Sequence, residues 1–225
     1  QKKEMKIIKV LETSQIAHVT SLLNDMTFQD GKKTASGKAR EVKKNYEVQQ
    51  NDANYSELYA YVNNILINNE WIKKRYLPKI FSSPIINKYE VGDNYGRHFD
   101  ASHMQSKTAS LRKDFSFTLM LSENNEYDGG ELTIENGIST HTVKLGAGDM
   151  VIYPSLYMHS VLPVTKGSRI AYVGWIASHI KDPAAFEILN AYEDMHLSLL
   201  KYDLSSDDSV QLSYVQNRLQ HYLSD

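Results

Sequence analysis

The chain has 225 residues, enough to bury one sizeable core. Apolar residues make up 41% and charged residues 23%, an ordinary globular composition, and a net charge of −2 gives no general attraction for nucleic acid or membrane surfaces. With no cysteine, disulfides, thiolate metal sites and a cysteine nucleophile are all excluded.

No apolar run approaches the roughly 18 residues of a membrane span. The charged start Gln1-Lys2-Lys3-Glu4 is followed by no apolar stretch, so a signal peptide is not expected. The chain does not begin with Met, which leaves room for upstream residues. The expected setting is the cytoplasm.

Residues 1–80 read as helical support with a substrate-side loop. Ser14 is the predicted cap of a helix carrying Ile16, Val19, Leu22, Leu23 and Met26 at three-to-four-residue spacing. A second helix is predicted from about Asn54, with Leu58, Val62, Ile65 and Ile72 as its apolar stripe and Pro78 just past its end. Between them, residues 31–46 are polar and basic, with Lys32, Lys33, Lys38, Arg40, Lys43 and Lys44. On pattern alone this stretch reads as a solvated loop.

Residues 81–180 change period from 3.6 to 2. Phe115, Phe117, Leu119 and Leu121 alternate with Ser116, Thr118 and Met120, and Leu132 and Ile134 alternate with Thr133 and Glu135. Val143 and Leu145 flank Lys144, and short runs follow at 150–153, 159–164 and 169–177. Turn signals separate them at Asp128-Gly129-Gly130, Asn136-Gly137, Gly146-Ala147-Gly148-Asp149 and Lys166-Gly167. The fold class is therefore mainly β with flanking helices, and a jelly roll fits the strand count best.

Residues 181–225 return to helix. Asp182 and Pro183 are the predicted N-cap and first helical residue, followed by Phe186, Leu189, Tyr192 and Leu199. Another helix is predicted from about Asp207 with Val210, Val215, Leu219 and Tyr222. These helices are expected to pack outside the sheet, in one integrated domain with the rest, and no chemistry is assigned to them.

The candidate chemistry lies in Gly96-Arg97-His98-Phe99-Asp100. On a strand, residues two apart share a face, so His98 and Asp100 can reach one metal while Phe99 points away. His159, at the head of a later strand, can supply a third ligand. Two imidazoles and one carboxylate form the facial triad of non-haem Fe(II) oxygenases, leaving three coordination positions for a bidentate 2-oxo acid and dioxygen. A lone H-x-D is weakly specific, and His159 by itself also reads as a packed core histidine.

Arg169 strengthens the pattern. It shares a face with Ala171, Val173 and Trp175, and an arginine on the inner face of a small barrel needs a buried anion. That anion is either the distal carboxylate of 2-oxoglutarate or an Asp or Glu of the chain. Tyr89 can donate to the same carboxylate or simply pack, since the chain has 15 tyrosines. His103 is read as facing water. His18, His196 and His221 are read as surface or packing residues on helices, and His141 and His179 have no assigned partner.

The order of segments carries a resemblance. Residues 89–100 follow a Y-x-x-G-x-x-x-G-x-H-x-D pattern, 122–132 an S-E-x-x-x-Y-x-G-G-E-L pattern and 148–155 a G-x-x-V-x-Y-P-S pattern. Residues 30–39 match D-G-x-x-T-A-x-x-x-A. In these segments the chain resembles the double-stranded β-helix, Fe(II)- and 2-oxoglutarate-dependent oxygenases of the prolyl hydroxylase-like branch. Its greatest likeness is to bacterial PKHD-type hydroxylases. The resemblance covers most of residues 28–182. It implies that His98, Asp100 and His159 bind iron and that Arg169 binds 2-oxoglutarate. It also implies that residues 31–46 lie near the substrate entrance. The implied reaction hydroxylates a C–H bond, of a prolyl or other peptidyl residue or of a small molecule, and releases succinate and carbon dioxide. Ascorbate belongs with the expected cofactors. Arg97 stands where the family often has an aromatic residue, Ala171 where relatives often have a small hydroxyl residue, and the C-terminal tail is longer than usual.

Three other readings compete. Nucleic-acid demethylation would bring a second arginine six residues after the first, where this chain has Trp175. A zinc hydrolase suits the same ligand set but needs a general base and leaves Arg169 idle. A non-catalytic metal- or ligand-binding jelly roll is the alternative that fold alone leaves open.

Overall fold

The apolar face of Phe115, Phe117 and Leu119 and the mixed face of Ser116, Thr118 and Met120 are both buried, so the strand Phe115–Met120 lies between two layers. In the computed structural model, which describes residues 5–35, 37–105 and 110–224, this strand sits inside an eight-stranded sheet. The order is Lys6–Lys9, Asp149–Pro154, Phe115–Met120, Arg169–Ser178, Ile85–Tyr89, Tyr46–Val48 and Phe28–Asp30, with Pro78–Phe81 pairing separately to Arg169–Ser178. A five-stranded sheet runs Thr140–Val143, Leu132–Glu135, Met158–Val161, Asn94–His98 and Lys43–Lys44. Residues 1–4, Ser36 of the 30–39 segment and Ser106 after the H-x-D motif lie outside the described residues.

The two faces of the large sheet bury different cores. Phe115, Phe117, Leu119, Met150, Ile152 and Tyr172 pack against the helices Thr13–Asn24, Tyr55–Asn68 and Glu70–Tyr76 through Val19, Leu23, Leu58, Val62 and Ile72. The opposite face contributes Tyr89, Met120, Val151, Tyr153 and Ala171 to a second core with Leu132, Ile134, Val143 and Val161 of the small sheet. Each large apolar side chain so buried contributes roughly 1.5–3 kcal/mol. The architecture is helices, large sheet and small sheet, a double-stranded β-helix (jelly roll) with flanking helices.

Several predicted boundaries move. The first helix starts at Thr13, and Gln15 Oε1 accepts from Glu12 N–H at 2.8 Å, so Ser14 is inside the helix rather than capping it. The second predicted helix is two. Its backbone breaks at Asn69, whose side chain accepts from Ile72 N–H at 3.0 Å and caps Glu70–Tyr76. The run 159–164 is also divided, between Met158–Val161 and Val164–Gly167.

Asp182 caps the helix Pro183–Leu199 as predicted, accepting from Ala184 N–H at 2.8 Å. Phe186 packs on Tyr76 and Phe115. The last helix, Ser206–Leu223, does not pack on the sheet. It lies on the preceding helix, with Tyr192 Oη donating to Leu212 O and Gln216 Nε2 donating to Glu193 Oε2 at 2.7 Å. Its half-buried stripe is Leu212, Gln216, Leu219 and Leu223, while Val210, Val215 and Tyr222 are exposed. The periodicity located this helix, but of its predicted stripe only Leu219 is half-buried.

Candidate active site

The strand Asn94–His98 pairs antiparallel with Met158–Val161, and the register sets His98 opposite His159. Their ring centroids are 4.3 Å apart. One ligand atom from each of His98, Asp100 and His159 lies within 4.8 Å of the others. The strand ends at His98, so the pleat does not orient Asp100 as predicted. Two hydrogen bonds do so instead. Asp100 Oδ2 accepts from Ser116 Oγ at 2.6 Å and from Trp175 Nε1 at 2.9 Å. Ser155 Oγ lies 3.0 Å from Ser116 Oγ and extends this chain.

Each histidine is oriented by its own backbone. His98 Nδ1 donates to Gly96 O at 2.7 Å and His159 Nδ1 donates to Tyr157 O at 2.9 Å. A carbonyl only accepts, so in the neutral ring the proton is on Nδ1 and the lone pair on Nε2 is free for a metal. Burial lowers the pKa of both imidazoles, and His159 nearby adds to the effect on His98. Tyr95 stacks on His98 with centroids 3.6 Å apart and limits its ring rotation.

Arg169 begins the strand Arg169–Ser178, directly opposite Tyr89 in register. Its guanidinium carbon lies 5.3 Å from the Tyr89 ring centroid. Only 1% of Arg169 is exposed, and among the described residues its Nε and Nη1 have no hydrogen-bond partner. Among the described residues no carboxylate pairs with it. Its electrostatic neighbours are Tyr89, Tyr127 and Tyr153. An internal Asp or Glu partner is therefore not found. Tyr127 Oη is committed to Leu145 O at 2.9 Å. Burial pushes the Tyr89 phenol up to about 12, so it stays protonated at neutral pH. Gly130 has φ +67°, and a Cβ there would lie 3.0 Å from Arg169 Cδ. Glycine thus satisfies the turn and leaves room for the arginine stem.

A cavity of about 740 Å³ joins these groups, lined by His98, Asp100, His159, Tyr89, Arg169 and Trp175 among others. Residues 31–46 are not simply a solvated loop. Thr34, Lys38, Val42 and Lys43 line the same cavity, and Lys43 is buried. The strand Lys43–Lys44 pairs with Asn94–His98 and turns Lys43 inward, where Glu47 neutralises it.

Trp175, Ser116 and Tyr95 had no role in the sequence reading. Trp175 left one signal: an indole on the inner face needs a partner for its N–H. Of the other histidines, His103 is exposed, His18 packs on Tyr61, His141 Nε2 meets Ser139 Oγ at 2.9 Å, and His196 contacts Tyr192. None joins the cluster.

The chain matches the 2OG-Fe(II) oxygenase superfamily over residues 84–177. A PKHD-type hydroxylase of Hyphomonas neptunium is 36% identical over 97% of this chain and 98% of its own length. A Trichoplax adhaerens prolyl hydroxylase, solved in complex with a hypoxia inducible factor oxygen degradation domain peptide fragment, shares the fold. Its TM-score is 0.59 at 15% identity, covering 78% of this chain and 84% of that one. HygX of Streptomyces hygroscopicus, solved with nickel, 2-oxoglutarate and hygromycin B, matches with a TM-score of 0.53 at 10% identity. It covers 78% of this chain and 83% of that one. With a relative this similar along nearly its whole length, the chain belongs to the PKHD-type hydroxylases of the 2OG-Fe(II) oxygenase superfamily and is a 2-oxoglutarate-dependent dioxygenase.

Proposed function

We propose that His98, Asp100 and His159 hold the Fe(II), and that Arg169, with Tyr89 beside it, binds the distal carboxylate of 2-oxoglutarate. The observation that carries this reading is the Arg169 guanidinium, buried with Nε and Nη1 unpartnered among the described residues, in the cavity where the three candidate ligand side chains converge. A cation so placed needs an anion, and a carboxylate matches its fork. Two neutral imidazoles and one carboxylate suit Fe(II) and leave coordination positions open.

When bound, Fe(II), 2-oxoglutarate and dioxygen supply the oxidation, giving succinate, carbon dioxide and a hydroxylated C–H position. The chain's own residues orient and shield. His98 and His159 present Nε2, because their Nδ1 protons are held by Gly96 O and Tyr157 O. Trp175 and Ser116 hold one oxygen of Asp100 and so fix the direction of its carboxylate. Tyr89, Tyr127 and Tyr153 lie near Arg169, and its burial strengthens its attraction for a carboxylate.

The substrate we favour is a prolyl or other peptidyl residue. The family and the peptide complex of the Trichoplax enzyme support this. A small molecule is the second reading, favoured by the hygromycin B complex of HygX. Residues 81–180 form the catalytic core, 1–80 its helical support with the substrate-side loop, and 181–225 an appended helical pair, all in one integrated domain. Ascorbate serves as accessory reductant. A cysteine-free chain agrees with a cytoplasmic setting, and no helix among the described residues is long and apolar enough to cross a membrane.

The test is a succinate-release screen with Fe(II), 2-oxoglutarate and ascorbate against proline-containing peptides and free amino acids. Succinate formation that depends on a peptide supports the reading. Formation that depends only on a free metabolite overturns the peptidyl assignment.

A further inference from the structure

The D-G-x-x-T segment at 30–34 has no part in the chemistry above, yet its exposed Thr34 joins a polar cluster whose other members are buried. Thr34 Oγ1 donates to Glu47 Oε2 at 2.6 Å and accepts from Lys43 Nζ at 2.7 Å. Lys43 Nζ also reaches Glu47 Oε1. A Cβ at position 31 would lie 2.0 Å from Asn45 Oδ1, so Gly31 is what leaves space for the Asn45 amide. Glu47 is opposite Asn87 in the strand register, and Asn87 is opposite Ala171, two residues from Arg169. Lys43, Asn45, Glu47 and Asn87 are all at least nine-tenths buried. All four line the cavity that contains His98 and Arg169.

Within this cluster the charges cancel, since Lys43 and Glu47 pair with each other. What stays open is neutral. Asn45 Nδ2, Asn45 Oδ1 and Asn87 Oδ1 are buried without a close hydrogen-bond partner among the described residues, although Asn45 lies near the Tyr89 hydroxyl and acts to lower its pKa. Buried amides are costly to leave unpaired, so their presence on a cavity wall points to a ligand that completes them. The complement of one amide donor and two amide acceptors is a group with N–H donors and a carbonyl acceptor. In an extended peptide the N–H and C=O of one residue point to the same side, as in a strand facing a neighbour. One asparagine side chain can meet both.

We propose that Asn45 and Asn87 form a subsite that binds the main chain of an extended peptide substrate in the cavity that also holds His98, Asp100 and His159. Asn45 meets the N–H and C=O of one residue, and Asn87 Oδ1 accepts a further N–H. This deepens the peptidyl-substrate reading and rests on it. The subsite carries no net charge, so it reads the backbone rather than acidic or basic side chains, and its specificity for sequence comes from other walls of the cavity.

The test uses the wild-type protein with Fe(II) and 2-oxoglutarate in the absence of oxygen, where the weak visible charge-transfer band reports the metal and co-substrate sites separately. A capped pentapeptide library, acetyl-X-X-Pro-X-X-amide, is equilibrated with this complex, and retained members are identified by mass spectrometry. Retained members are then remade with each N–H in turn replaced by an ester oxygen. The expected result is about tenfold weaker binding of wild type to the ester at one or two positions, with that discrimination lost in Asn45→Leu. Gly31→Ala, which crowds the Asn45 amide, is expected to weaken the same discrimination. Should Asn45→Leu fail to fold, as judged by thermal unfolding, Asn87→Leu carries the same expectation at a different N–H. Undiminished discrimination in the folded variant overturns the subsite. So does an absence of retained peptides while the band is present. An absent band in wild type removes the assignment of the metal and co-substrate sites, and the subsite with it.

Discussion

Trp175 Nε1 donates to Asp100 Oδ2 across 2.9 Å, joining the strand Arg169–Ser178 of the large sheet to a carboxylate that no strand holds. Outer contacts of this kind orient a ligand and raise its affinity for a metal. Trp175→Phe keeps the ring and deletes the donor. The expected result is a 10–100-fold weaker Fe(II) affinity, read as a shift in the iron dependence of succinate formation. An iron dependence equal to wild type would show that Ser116 alone orients Asp100.

The proposed metal ligands have a sharper expectation. His98→Ala, Asp100→Ala and His159→Ala are each expected to abolish succinate production, because two remaining ligands hold iron poorly and out of position. Full turnover in any of the three would remove that residue from the site.

Arg169→Lys tests the guanidinium fork rather than the charge. Lysine lacks the planar pair of donors, and the walls built by Tyr89, Tyr127 and Tyr153 leave the shorter cation displaced. Loss of such a buried charge-assisted contact costs about 3 kcal/mol, roughly a hundredfold in 2-oxoglutarate affinity. The measurement is the 2-oxoglutarate concentration giving half-maximal succinate release.

Gly130→Ala combines two penalties. A side chain at φ +67° is strained by about 1–2 kcal/mol, and its Cβ would press on Arg169 Cδ at 3.0 Å. A lowered melting temperature and a weaker 2-oxoglutarate affinity are expected together. A change in stability without a change in affinity would show that the arginine stem moves aside freely.

Acid is expected to destabilise the metal-free protein. Burial lowers the pKa of His98 and His159 in the fold, while in the unfolded chain an imidazole titrates near about 6.5. Below that pH the unfolded state binds more protons than the folded one, so folding stability falls as pH falls. Urea unfolding of the metal-free protein between pH 7.5 and 5.5 measures the slope. Saturating metal ion, which binds only the neutral rings, is expected to raise the stability across this range without flattening the slope, because the protons are taken up by the unfolded chain.

Much of the centre was legible in the chain because its parts are local patterns. H-x-D is a two-residue spacing, the alternation from Phe115 to Leu121 marks a strand with two faces, and Asp182-Pro183 marks a helix start. The inward position of Arg169 was legible because it shares a strand face with Ala171, Val173 and Trp175. Lys43 was not legible. Six basic residues between 31 and 46 look alike in sequence, and only the pairing of Lys43–Lys44 with Asn94–His98 turns one of them inward against Glu47. The break at Asn69 and most of the half-buried stripe of Ser206–Leu223 were missed as well.

By itself the sequence determined the reaction class, through residue types whose chemistry is fixed before folding: two imidazoles, one carboxylate and one guanidinium on strands of alternating period. The tertiary structure decided how they meet. The register of Asn94–His98 against Met158–Val161 brings the imidazoles together, and Trp175 reaches Asp100 from the other sheet. Local patterns encode which face a residue takes on its own element. Distances between elements depend on packing summed over the whole core, which no single segment carries.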